Sequence, residues 1–347
     1  MSDQPTYPPR PRPGDRIAIV SPGFAGPGAF PLPHELGLRR LREEFGLEPV
    51  EYPTTRRLGA TPAERAADLH AAFADPTIAA VMATLGGDDQ ITLVPHLDAA
   101  LLRAHPKPFF GYSDNTNLLD FLHRQGIVAY HGASVMTQLG RPHAVHPLTA
   151  ASLRAALFEG GAYELTAATD TSTVQGRWED PATFDRAPAG EPATGWRWHR
   201  PDRVVEGTSW GGNLEILHWM AAADRLRPAA EYAGRVLFLE TSEELPSATE
   251  VFRMLRNLGE RGLLRQFPAL LVGRAMAWSF DHPHDAEARA RYRADQHAAV
   301  LRALDAYAPG TMAVLDVDLG HTEPQLVIPY GGLIRVDGPA RRITVTY

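Results

Sequence analysis

The sequence predicts an α/β fold in which parallel strands are covered on both faces by helices. Short, wholly apolar runs alternate with amphipathic stretches of helical length, and glycine- or proline-containing turns punctuate several junctions. An apolar run without polar alternation suits a strand buried on both faces. Parallel pairing in turn needs a crossover long enough to hold a helix.

Arg16–Val20 reads as the first buried strand, stopped by Ser21-Pro22-Gly23. Leu38, Leu41 and Phe45 share one face of a helix expected over 33–45, and a short strand follows near 49–52. Thr61 caps the next helix, with Pro62 at the first helical position, where proline has no needed N–H to lose. The run at 78–83 is a further strand, ended by Gly86-Gly87. A helix over 91–104, a strand over 108–111 and a helix over 115–125 continue the series. From about 168 to 205 neither period holds, and Pro, Gly, Thr, Asp and Trp dominate. That stretch is expected to be an ordered connection, since Trp178, Trp196 and Trp198 would be costly to leave fully in water. Alternation resumes near Gly207, with strands expected at 236–239, 269–272 and 311–315 and helices at 213–223, 248–258 and 286–304. Short strands are expected near 325–328, 333–336 and 343–346. The expected organisation is an N-terminal nucleophile domain over 1–167, a linker and substrate loop over 168–206, and a C-terminal domain over 207–347.

A chain of 347 residues can hold two domains with separate cores, and 44% hydrophobic with 22% charged residues is globular composition. A net charge of -7 argues against nucleic acid as a partner, because phosphate binding needs a basic surface. The absence of cysteine removes disulfides, thiolate metal sites and cysteine nucleophiles, so covalent catalysis falls to Ser, Thr, Lys or a carboxylate. Met1-Ser2-Asp3-Gln4-Pro5 is polar and lacks a signal-peptide core, and no window approaches the roughly 18 apolar residues of a membrane span. A cytoplasmic location without a membrane partner is the expectation.

Ser113 follows an apolar strand and precedes a helix, with Gly111 two residues earlier. This is the layout of a nucleophile elbow, although Asn115 stands where a second glycine is usual; a helix-capping serine is the alternative. The Asp114 amide at the helix start and the Gly87 amide in Leu85-Gly86-Gly87-Asp88 could together stabilise an oxyanion. His321, in the loop Leu319-Gly320-His321-Thr322-Glu323-Pro324, could accept the serine proton, and Glu240 at a strand end could orient it. Solvated loop residues are the alternative for both. His282 and His284 could supply two zinc ligands, but Asp281-His282-Pro283-His284-Asp285 also suits a turn capped by Asp285, and no metal is expected there. The glycine-rich 21–28 segment has neither a Lys-Ser/Thr end nor dinucleotide spacing, so a phosphate cradle is not expected.

Taken jointly, Gly111-Tyr112-Ser113-Asp114, Phe238-Leu239-Glu240 and Gly320-His321, with Gly86-Gly87 upstream and Trp210-Gly211-Gly212-Asn213-Leu214 between, resemble the LD-carboxypeptidase family of serine peptidases. The resemblance spans essentially the whole chain and extends to the branch of microcin C immunity peptidases. It implies a Ser113–His321–Glu240 triad, a Rossmann- or flavodoxin-like N-terminal domain, a smaller C-terminal α/β domain with substantial β structure, and a homodimer without cofactor. The implied activity is cleavage of a small peptide or amide, such as the L,D-bond to the terminal D-Ala of murein tetrapeptide. Hydrolysis of aminoacyl- or peptidyl-nucleotide amides is one alternative, and non-catalytic ligand binding on the same scaffold is another. Gly86, Tyr112, Trp196, Asn213 and Glu244 are the expected substrate contacts. Leu85-Gly86-Gly87-Asp88-Asp89 replaces the Arg-Gly-Gly-Tyr-Gly of murein-directed members, and the Trp178 and Gly195-Trp196 insert looks like the immunity branch. That branch carries lysine where Glu244 stands, and a carboxylate there repels a phosphoramidate.

Overall fold

Strand Ile78–Ala83 lies inside a six-stranded sheet, between Arg16–Val20 and Phe109–Gly111. The full order is Glu48–Glu51, Arg16–Val20, Ile78–Ala83, Phe109–Gly111, Ala129–His131 and Ile328–Tyr330. The first five strands are parallel, and their order is that of a flavodoxin-like sheet. Ile328–Tyr330 closes the edge antiparallel. The computed structural model describes residues 5–347, so the expectation for Met1 to Gln4 lies outside the described residues.

The second sheet has eight strands. Val204–Asn213, Val236–Glu240, Ala269–Gly273 and Met312–Val317 form its parallel centre. Leu333–Asp337, Arg342–Thr346 and Ala162–Glu164 extend one side antiparallel, and Arg197–His199 the other. The sheets therefore exchange strands across the expected segment boundaries: Ala162–Glu164 lies with the C-terminal strands and Ile328–Tyr330 with the N-terminal ones. Arg197–His199 makes part of the expected linker a sheet edge, and Asp170–Thr171 pairs with Glu191–Pro192.

Local signals explain most helices. Thr61 and Glu64 form a reciprocal capping box ahead of Pro62–Ala74, and Ser247 with Glu250 does the same for Ala248–Glu260. The helix expected over 91–104 is instead two 3-10 turns and the short helix Ala99–Ala104. Pro95 cannot donate to an α-helical ladder, and the Asp98 carboxylate accepts from the Ala100 and Leu101 amides to start a new helix. No helix among the described residues is long and apolar enough to cross a membrane.

One continuous core joins the two sheets, from Ile17, Phe73 and Phe109 to Trp210, Phe238 and Phe267. Two hydrogen bonds hold the helix that follows Ser113 against the second sheet. Trp210 Nε1 donates to Asp120 Oδ1 at 2.9 Å, and the Asn213 amide donates to Thr116 Oγ1 at 3.1 Å. The first sheet's helix Thr116–Arg124 is thereby registered on the strand Val204–Asn213.

Candidate active site

Ser113 stands at the C-terminal end of Phe109–Gly111 with φ +62°, a left-handed conformation that non-glycine residues adopt only under constraint. Asn115 supplies much of that constraint. Its Nδ2 donates to the Tyr112 and Leu85 carbonyls at 3.0 Å each, and its Oδ1 accepts from Gln90 Nε2 at 2.9 Å. The residue in the place of an elbow's second glycine thus laces the serine turn to the Gly86 turn. Asp114 braces the same junction, accepting from the Gln90 amide at 2.9 Å and from Asn117 Nδ2 at 3.0 Å. Burial, with Asp89 and Asp88 nearby, pushes its carboxyl up to about 6.

Gly86 packs directly on the serine. A Cβ there would lie 3.0 Å from Ser113 Cβ and 3.1 Å from Oγ, so no larger residue fits without moving the hydroxyl. Gly87 has φ +152°, and its N–H and that of Asp114 have no protein acceptor among the described residues. Two unengaged amides on residues next to Gly86 and Ser113 are candidates for binding a developing oxyanion. The 21–28 loop joins them, since the Phe24 amide donates to the Gly86 carbonyl at 2.9 Å.

His321 enters from the second sheet's loops. Its Nδ1 lies 2.5 Å from Glu240 Oε2, and its ring packs 4.9 Å from that of buried Tyr112. Glu240 ends the strand Val236–Glu240 and is fully enclosed, with the Gly320 backbone tight against it. The loop bearing His321 is tied at several points. Gln325 donates through Nε2 to the Gly320 carbonyl at 2.8 Å and accepts through Oε1 from the Ala133 amide at 2.8 Å. Buried Asp318 pairs with Arg274, and Glu323 pairs with Arg141. On its other side, His321 Nε2 lies 3.2 Å from Glu243 Oε2, and no hydrogen bond joins it to Ser113 among the described residues.

The electrostatics follow from these neighbours. Burial alone would lower the His321 pKa, but Glu240 and then Glu243 outweigh it and hold the imidazolium up to about 9. Burial would raise the Glu240 carboxyl, whereas the His321 charge and hydrogen bond bring it below its usual range. Glu215 lies behind them, its Oε1 accepting from the Ser242 amide at 2.9 Å and hydroxyl at 2.7 Å. Burial and the Glu240 charge push Glu215 up to about 7.

Ser113, Gly86, Gly87, Tyr112 and His321 all line one cavity of about 500 Å3. Three expected substrate contacts do not line it. Asn213 is buried as a helix cap, its Oδ1 accepting from the Ile216 amide at 3.0 Å. Trp196 spends its indole N–H on Asp318 Oδ2 at 2.9 Å and packs on the core, whereas Trp178 of the same stretch forms cavity wall. Glu244 lies outside, and its neighbour Glu243 faces in. Glu243, Glu215, Gln325 and Asp318 carried no signal beyond being polar residues near strand ends. The rings of His282 and His284 are 6.4 Å apart, and His284 Nδ1 lies 3.0 Å from the Ala277 carbonyl. No cluster of three metal-ligating side chains occurs among the described residues.

Known proteins place this architecture. Residues 17–132 match the LD-carboxypeptidase N-terminal domain and residues 206–336 the LD-carboxypeptidase C-terminal domain. The murein tetrapeptide carboxypeptidase of Pseudomonas aeruginosa is 33% identical over 65% of this chain and 63% of its own length. The microcin C7 self-immunity protein MccF of Escherichia coli is 25% identical over 82% of this chain and 78% of its own. The MccF-like protein of Streptococcus pneumoniae, solved in complex with AMP, superposes with a TM-score of 0.82 at 25% identity, covering 96% of this chain and 99% of that one. The two matched domains together take in most of the chain, and it belongs to the LD-carboxypeptidase family of serine peptidases.

Proposed function

We propose that this chain is a serine carboxypeptidase-type hydrolase that cleaves a small peptide or amide through an acyl-enzyme, with Ser113 as nucleophile, His321 as general base and Glu240 orienting His321. One observation carries the reading: a constrained serine and a carboxylate-held histidine, brought from different sheets, open into the same cavity beside two free amides. Neutral His321 removes the Ser113 proton as Oγ attacks the substrate carbonyl. The Gly87 and Asp114 N–H groups donate to the oxyanion of the tetrahedral intermediate. His321 returns the proton to the leaving amine, the C–N bond breaks, and water deprotonated by His321 hydrolyses the ester. These steps use the chain's own groups and no cofactor.

Family membership favours the bond to the terminal D-Ala of murein tetrapeptide as substrate, and a homodimer working in the cytoplasm goes with that reading. A second reading, hydrolysis of aminoacyl-nucleotide amides, is favoured by the aromatic wall of the cavity. There Trp178 meets Phe30 edge-on at 5.6 Å, a surface suited to a nucleobase. Purified protein offered both substrates, with products read by mass, separates the two. Ser113→Ala must lose hydrolysis by about 10^4-fold or more and lose labelling by a fluorophosphonate. Wild-type protein that takes up no fluorophosphonate would instead be a ligand-binding scaffold.

A further inference from the structure

We infer that Glu243 is a specificity-determining residue: it selects substrates bearing a protonated amine near the scissile bond and releases His321 Nε2 when such a substrate binds. The inference rests on the proposed hydrolase and names the class of substrate for the same cavity.

The contact between His321 and Glu243 opposes the chemical step. Glu240 holds Nδ1 at 2.5 Å, and Glu243 Oε2 lies 3.2 Å from Nε2, an ion-pair contact that favours a proton on the nitrogen that must accept the one from Ser113. Glu240 is enclosed and fixed. The Glu243 side chain is 58% exposed, and it is the partner that can leave. Its backbone is anchored by Ser242 on Glu215 and by buried Leu245, itself at φ +53°. Release is therefore a side-chain rotation, with the loop in place.

The surroundings say what draws Glu243 away. Asp88, Glu179 and Glu243 line the cavity without an Arg or Lys partner among the described residues, and Glu323 is answered by Arg141. Arg177, the cavity's guanidinium, lies over the Phe280 ring at 4.8 Å. A cavity with this excess of carboxylate attracts an ammonium and repels phosphate or a free carboxylate. Exposed Phe24 at its wall adds a ring face, which also favours a cation. An ammonium accepted by Glu243 replaces the imidazolium as the carboxylate's partner, and Nε2 turns free toward Ser113.

The test is a matched pair of peptide amides, identical at the scissile bond, one with a free amine on the acyl-side residue and one N-acetylated. Wild-type protein should prefer the free amine by about tenfold or more in kcat/KM. Glu243→Gln should bring the ratio to about 1, and Glu243→Lys should invert it in favour of an acidic analogue. Labelling by a neutral fluorophosphonate, which carries no ammonium, should quicken in Glu243→Gln at pH 7, because the substitution removes the charge that holds the proton on His321. A preference that survives both substitutions, or no preference in wild-type protein that labels normally, overturns the inference alone. Wild-type protein that neither labels nor hydrolyses overturns the hydrolase reading, and the inference falls with it.

Discussion

Turnover by the proposed hydrolase should climb steeply through the alkaline range, and Glu243→Gln should carry that rise to lower pH. The competent base is the neutral imidazole, and the two carboxylates flanking His321 hold its charged form up to about 9. At pH 7 only about one molecule in a hundred then has the base free. The reaction of Ser113 with a neutral fluorophosphonate should therefore quicken about tenfold per unit from pH 7 to about 8.5, then level off above 9. Glu243 contributes part of this. Two unit charges at 3.2 Å attract by about 5 kcal/mol at an effective dielectric of 20. The Glu243 side chain is 58% exposed, so water screens the pair to about 1 kcal/mol, equivalent to about 0.7 of a pH unit. Glu243→Gln should move the limb down by that amount and speed labelling at pH 7 by about fivefold. The assay is the second-order labelling rate by mass spectrometry from pH 6 to 10. A wild-type limb at or below pH 7, or one unmoved in Glu243→Gln, refutes the assignment of the retained proton.

Two further perturbations probe the site's packing and its buried charge. Gly86→Ala sets a methyl carbon 3.0 Å from Ser113 Cβ and 3.1 Å from Oγ, about half an ångström inside ordinary contact. Hydrolysis should fall by about 10- to 100-fold while Tm barely moves, with Gly310→Ala, which meets nothing within 4 Å, as control; unaltered turnover would show that the hydroxyl does not depend on this contact. Glu215 has its carboxyl pushed up to about 7, so its contribution to stability is fully present below its unfolded pKa of about 4.5 and is lost as pH rises through 7. The loss is at most about 3 kcal/mol, and Glu215→Gln should flatten the fall in Tm between pH 5 and 8; equal slopes for the two proteins would count against a buried, protonated Glu215.

The elements legible in the sequence are those whose signals are local. Arg16–Val20 and Ile78–Ala83 coincide with their apolar runs, and the helix begun at Thr61-Pro62 carries both halves of its cap within four residues. Arg197–His199 is a three-residue strand with no run to mark it, made a strand by a neighbour distant in sequence, whereas Ala129–His131 overlaps the apolar run Ile127-Val128-Ala129-Tyr130. The site divides the same way. Ser113, Gly86, Gly87, Glu240 and His321 stand out because each sits where an apolar strand gives way to a loop, and in a parallel sheet such loops gather at one edge. Trp178 and Trp196 share one aperiodic stretch, and their different fates, Trp196 bonded to Asp318 and Trp178 against Phe30 in the cavity wall, depend on partners distant in sequence. Glu243 and Glu244 are adjacent and chemically alike. Which one faces His321 depends on the loop path, set by Ser242 on a glutamate 27 positions earlier.

That last dependence extends to the whole site. Ser113 follows a strand of one sheet, Glu240 ends a strand of the other and His321 stands in that other sheet's loops, so their relative placement is a property of the packing between sheets. Three buried polar contacts contribute to it, alongside His131 on the Leu319 carbonyl and Arg141 on Glu323. Trp210 on Asp120 and Asn213 on Thr116 pin the helix that starts just beyond Ser113, and Gln325 bridges the His321 loop to Ala133. Asn213 thus serves the serine by registering its helix rather than by reaching the cavity, and the Trp210-Gly211-Gly212-Asn213 segment brings the two sheets into close approach. Each of these contacts is buried, and a buried polar group left without its partner is costly, so the sheets dock in the arrangement that satisfies all three together. The core that stabilises the fold and the geometry that brings Ser113 and His321 to one cavity are consequently set by the same interface.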